Sequence, residues 1–245
     1  MMDTQILLRL AKLSAAAYLI AEADLIAAVE ALGYTYVARL ATDQCVAVIV
    51  SEEIDGVTEI ILAFQGTRFA QNTDPEEIWD DLDDGVVDLG QAGKAHRGFY
   101  APMLAMWPDI MQAIPAGCKL LTLTGHSLGG VRANLALRLA HDAGFSPVAV
   151  SFGAPKGADK TFWDQLGIVP TRVVNRHDFA PLWPLADERW VQPEPMAWLN
   201  KTGALEMVVG WRGILPSIAD HDIDNYIASL EALNGANLDT AAAAV

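Results

Sequence analysis

The apolar positions of the first thirty residues recur at helical spacing. Ile6, Leu7, Leu10, Leu13, Ala17 and Leu19–Ile20 predict a helix over about Asp3–Glu22, and a second follows over about Ala23–Leu32. The pattern then turns into continuous apolar runs. "CVAVIV" (Cys45–Val50) and "TEIILAF" (Thr58–Phe64, between Gly56 and Gly66) read as strands buried on both faces. A helix is expected over Gly98–Ile114, stopped by Pro115 and Gly117. Next come a strand at Leu120–Thr124, a helix to Ala143, and strands at Pro147–Phe152 and Thr171–Asn175. From Pro181 to Gly213 four tryptophans are interleaved with Pro184, Pro193 and Pro195, which predicts irregular hairpin structure. A last helix covers about Ile223–Leu233, and residues 235–245 read as a disordered tail. Strands alternating with helices, with no linker between them, predict one α/β domain over residues 1–245. Its sheet should be mostly parallel and covered by helices on both faces.

Composition narrows the possible partners. Apolar residues make up 52% of the 245, so a sizeable core can form. The formal net charge of −15 argues against nucleic acid, whose phosphates would be repelled, and against adhesion to anionic membranes. No apolar run reaches the 18 or so residues of a membrane-spanning helix. Cys45 and Cys118 sit beside apolar strand runs; they could in principle pair, but the preferred reading is two buried thiols. Ala21-Glu22-Ala23 mimics a signal cleavage site, but the helical period runs through the supposed charged region, so we read a first helix of the domain. The expected location is therefore the cytoplasm, or export without a clear N-terminal signal. Oligomeric state is not legible.

The chemistry gathers at "LTLTGHSLGG" (Leu121–Gly130), an apolar strand, an abrupt turn and a long helix. Gly125-His126-Ser127-Leu128-Gly129 fits G-x-S-x-G, in which a serine on a strained strand-to-helix turn needs neighbours without a Cβ. The following helix directs its free N–H groups and dipole toward developing negative charge. The other reading of Ser127 is a small residue in a sharp turn. A serine nucleophile needs a base, and the base needs an orienting acid, in the chain order serine, acid, histidine for this strand-turn-helix arrangement. Of five histidines, His96 and His126 precede the serine, and His141 lies far along the next helix. His177 could in principle reach the site, but only His221 leaves room for a strand-end acid before it, so His221 is the preferred base. Asp178, just past the strand Thr171–Asn175, is the preferred acid, since ligand sites gather at that edge of a parallel sheet; a turn or capping aspartate is the other reading.

Several stretches taken together resemble the class 3 lipase family, the fungal lipase-like α/β hydrolases. "AFQGTR" (Ala63–Arg68), "AHRGFY" (Ala95–Tyr100), "LTGHSLGG", "SFGAPKGAD" (Ser151–Asp159), "RVVNRHDFAPLWP" (Arg172–Pro184) and "DHDIDNY" (Asp220–Tyr226) occur in that family's order. The resemblance implies the α/β-hydrolase fold, with Ser127 as nucleophile, Asp178 as acid and His221 as base. It also implies that Thr67 and the backbone N–H of Leu128 form an oxyanion hole, although Gly66-Thr67 could be only a strand-end turn. Gln65 stands where the family usually has arginine, Ala180 replaces a valine, and the Tyr-x-His-x-Gly strand is missing after Pro184.

The resemblance further implies a lid over about residues 69–94. Eight acidic residues and no basic one lie between Asp74 and Asp88, and Ile78, Trp79 and Leu82 could form an apolar stripe. Such a lid is poorly attracted to anionic lipid. The expected protein is thus a carboxylester hydrolase or lipase for acylglycerols or other neutral esters, needing no cofactor or metal and making at most transient contact with a lipid interface. Acyl transfer to an alcohol, or a silent scaffold used for binding, are the alternatives. The tryptophans of 183–211 either line an acyl pocket or simply pack the irregular region.

Overall fold

The computed structural model describes residues 3–68, 83–185, 187–213 and 215–243. Ile78, Trp79 and Leu82, on which the expected lid stripe rests, lie outside the described residues. Eight strands form one sheet: β1 (Thr35–Ala41), β2 (Val46–Ile54), β3 (Val57–Phe64), β6 (Leu120–His126), β7 (Ser146–Phe152), β8 (Thr171–Asn175), β9 (Met196–Leu199) and β10 (Leu205–Val208), in the order β1-β2-β3-β6-β7-β8-β9-β10. The short strands β4 (Val86–Asp88) and β5 (Lys94–His96) pair separately. From β3 to β9 the sheet is parallel, and antiparallel strands close both edges.

The apolar runs make two cores because successive side chains of a strand point to opposite faces. Ala47, Ile49, Leu62 and Phe64 face one core, with Phe99, Met103 and Met106 of α3 (Arg97–Ala113) and Val131 and Leu135 of α4 (Leu128–Asp142). Val48, Val50, Ile61 and Ala63 face the other, with Leu7, Leu10 and Leu13 of α1 (Thr4–Ala16), Leu25 and Val29 of α2 (Glu22–Ala31), and Tyr226 and Leu230 of α6 (Ile223–Ala243). The short α5 (Lys160–Leu166) packs beside the first core through Phe162.

Three boundaries differ from expectation. Helix α1 ends at Ala16 rather than Glu22, because the carbonyls of Tyr18, Leu19 and Ile20 accept from Arg68 and Arg39 instead of from a further helical turn. Strand β1 carries a weak apolar alternation and was not expected; pairing with β2 makes it a strand. Helix α6 continues to Ala243, into the residues expected as a disordered tail. It is tied to α1: Asn234 Nδ2 donates to the Thr4 carbonyl at 3.2 Å, and Lys12 pairs with Glu231 at 2.7 Å. Cys45 and Cys118 are both free thiols, as expected, but only Cys45 is buried; Cys118 is partly exposed just ahead of β6.

Candidate active site

Strand β6 ends at His126, and the chain turns into α4 through Ser127 at φ 57°, ψ −126°. This left-handed backbone costs about 1–3 kcal/mol and persists only where the surroundings impose it. They do so here. The Ser127 N–H donates to the Phe152 carbonyl of β7 at 2.9 Å, and the turn brings Gly129 against the end of β3. A Cβ on Gly129 would stand 2.0 Å from the Phe64 carbonyl oxygen, so this position admits no other residue without moving the helix off the sheet.

Three further elements converge on the serine. Just beyond β8, Asp178 places its carboxylate behind His221, which sits in a single helical turn ahead of α6. His221 Nδ1 lies 2.9 and 3.0 Å from the two Asp178 oxygens, and His221 Nε2 lies 2.8 Å from Ser127 Oγ. The carboxylate accepts a hydrogen bond from Nδ1–H, which fixes the tautomer and leaves Nε2 as an acceptor for the serine hydroxyl. All three side chains are buried, Ser127 and Asp178 at 0% exposure and His221 at 4%.

The acid is held from several sides. Tyr226 Oη donates to Asp178 Oδ2 at 2.5 Å, the Ala180 N–H donates to Oδ1 at 2.9 Å, and Trp211 Nε1 donates to the Asp178 carbonyl at 3.2 Å. Burial and the adjacent carboxylate push the Tyr226 phenol well above its ordinary pKa, so it remains a donor. Gly153, following β7 at φ 59°, makes room for this group. A Cβ there would lie 2.5 Å from Asp178 Oδ2 and 3.0 Å from His221 Nδ1.

His221 is held by its backbone. His126 Nε2 donates to the His221 carbonyl at 2.6 Å, and His126 Nδ1 accepts from the Tyr18 hydroxyl at 3.0 Å. Complete burial drives the His126 pKa well below its ordinary value, so this imidazole stays neutral. The Tyr18 hydroxyl also packs against Gly66, where a Cβ would stand 2.1 Å from it, and so links the end of β3 to the elbow. Neither Tyr18 nor His126 was singled out as a contributor from sequence. The only signal was the location of His126 beside the serine, and the pairing with Tyr18 spans 108 positions.

Thr67 follows β3, and Leu128 is the first residue of α4, where its N–H has no intrahelical partner. Both line a cavity of about 510 Å³ beside the elbow. His177 is not part of the triad geometry; its Nδ1 meets the Leu215 carbonyl at 3.0 Å, and its N–H donates to Asp220. The tryptophans divide by role. Trp190 is buried, Trp183 stacks edge-on against Phe99, and Trp198 donates to the Arg176 carbonyl. Among the described residues no group of histidine, cysteine and carboxylate side chains is arranged to hold a metal ion.

The sequence model of the family described as lipase (class 3) matches residues 61–188, more than half of the chain. The chain belongs to the class 3 lipase family. It is thus a lipase, an ester hydrolase, of α/β-hydrolase fold. Among solved structures this class 3 lipase is similar to the triacylglyceride lipase of Rhizomucor miehei, at 19% identity over 90% of this chain and 94% of that one, with a TM-score of 0.71. It is similar to lipase II from Rhizopus niveus at 20% identity over 89% and 92%, with a TM-score of 0.69. A triacylglycerol lipase described as having a serine protease triad as its catalytic centre matches at 20% identity over 88% and 91%, with a TM-score of 0.67. At these identities the likeness establishes the shared fold.

Proposed function

We propose that this class 3 lipase cleaves acyl esters by acyl-enzyme chemistry at Ser127. The observation that carries the reading is the single imidazole of His221 lying 2.8 Å from Ser127 Oγ and 2.9 Å from Asp178. In this reading His221 removes the hydroxyl proton as Oγ attacks the ester carbonyl. Asp178 holds the tautomer and stabilises the imidazolium that forms. The carbonyl oxygen becomes an oxyanion received by the N–H groups of Leu128 and Thr67, where each donor is typically worth about 3–4 kcal/mol. His221 then returns the proton to the departing alkoxide, and water, activated by the same imidazole, releases the acid from Ser127. The triad of a structural neighbour is consistent with these roles. None of these steps needs a cofactor.

A fluorophosphonate probe tests the assignment. The folded protein should carry one adduct on Ser127, and Ser127→Ala should carry none. Labelling elsewhere, with Ser127 unmodified, would overturn it. Release of p-nitrophenol from esters of graded acyl length then measures chain preference.

A further inference from the structure

The cavity beside the elbow contains charge that the reaction above does not use. Arg132 lines it from α4, one turn past the nucleophile, and is only 3% exposed. Its Nη2 donates to the Gln44 carbonyl at 2.6 Å, while its Nε finds no partner, and no carboxylate among the described residues pairs with it. Gln65, 7% exposed on the same wall, has an unpartnered Nε2. A buried guanidinium without a counter-ion, and a buried amide donor without an acceptor, are each costly. Burial pulls the Arg132 pKa down from its ordinary value, yet a guanidinium keeps its charge at neutral pH.

The rest of the lining favours the same sign. Arg68 and Arg97 add two cations; Asp43 and Asp83 add two carboxylates, of which Asp83 is held by Arg97 at 2.6 Å. Among the described lining residues the cations outnumber the carboxylates by one, and Arg132 is the buried one of the three, in a molecule whose net charge is −15. Thr67 and Leu128 line the same space, so an ester whose carbonyl oxygen sits on those two N–H groups has this cavity within reach.

We propose that the cavity receives an anionic oxygen group, a carboxylate or phosphate, carried by the ester substrate, with Arg132 and Gln65 as its donors. The proposal rests on the acyl-enzyme reading at Ser127 and names the substrate class of that site. It replaces the expectation of a neutral ester drawn from the acidic lid, because a buried guanidinium is screened less than charge spread over a solvated surface.

Two p-nitrophenyl esters of equal acyl length test it: the pentanoate, ending in a methyl group, and the glutarate monoester, ending in a carboxylate. The ratio of kcat/KM, glutarate over pentanoate, should fall at least tenfold in Arg132→Met, with the fold monitored by thermal melting. A ratio unchanged within twofold in a folded variant overturns the proposal. Should Arg132→Met not fold, inhibition of pentanoate hydrolysis in the unaltered protein decides. Competitive inhibition by glutarate or by inorganic phosphate, beyond that of chloride at equal ionic strength, supports the site, and the stronger of the two identifies the group. No excess over chloride for either overturns it. Failure of the Ser127 reading would appear differently, as absence of pentanoate hydrolysis altogether.

Discussion

Two polar regions meet at Ser127 and are built in opposite ways. Behind His221 each group has its partners: the Asp178 carboxylate accepts from His221, Tyr226 and the Ala180 N–H, and the His221 carbonyl accepts from His126. In front of the elbow, Arg132 Nε and Gln65 Nε2 are buried donors without an acceptor among the described residues. The first region is a finished network, in which low dielectric strengthens every bond and fixes one geometry. The second has the same low dielectric and an unfilled demand. At this site the finished network suits positioning and the unfilled donors suit the reception proposed above, and the contrast can be tested from both sides.

Deleting the group that the finished network serves should have the largest effect. Ser127→Ala should lower kcat by at least about 10⁴-fold with little change in melting temperature, because only Oγ is removed, the Cβ and the turn are kept, and no apolar contact is lost. Steady-state kinetics and calorimetry check this together. Crowding the network comes next. Gly153→Ala forces a methyl group toward Asp178 and His221 and should cost about 10²–10³-fold in kcat, as small displacements of positioned groups do. If Gly153→Ala retained full activity, the tight fit behind the triad would carry no functional weight.

Removing one donor is milder. Tyr226→Phe leaves Asp178 with His221 and the Ala180 N–H, so a loss of about tenfold in kcat with KM little changed is expected. Smallest of the kinetic effects is His177→Ala, which should change kcat/KM by less than about threefold, since that ring bonds only the Leu215 carbonyl within the described residues. A complete loss of activity in His177→Ala alongside an active His221→Ala would reverse the choice of base.

Acid sharpens the contrast through stability. Burial lowers the His96 pKa to about 4, and His126 is lowered as well. As pH falls below about 6.5 the unfolded chain takes up protons that the folded one refuses, so stability is full above that value and lost toward pH 4. The His96 share is at most about 3 kcal/mol by that linkage. His96→Phe, whose ring can stack on Phe99 as the imidazole does at 4.2 Å, should shrink the fall in melting temperature between pH 7 and 5.

What could be read in advance follows from sequence separation. The elbow is local: Gly125 to Gly129 carry their own steric reason, so Ser127 stands out as a candidate from five residues. The strands of the parallel centre announce themselves as apolar runs because both faces are covered. Asp178 and His221 could be reached by chain order, a topological constraint rather than a local one. Tyr18, by contrast, ends a helix as an ordinary aromatic, and nothing near it indicates that its hydroxyl meets His126. Arg132 is still less legible. In sequence it is one cation on an amphipathic helix, where a solvated guanidinium is the usual outcome, and only tertiary packing leaves it buried without a counter-ion.

The order in which the site's parts occur along the chain has a consequence for synthesis. Tyr18 comes first and Ser127 second, while His221 and Tyr226 lie on the last fifth of the sequence. A nascent chain thus displays its serine long before any base can reach it. The hydroxyl has no triad partner until His221, in the turn ahead of α6, has been made and packed beside it.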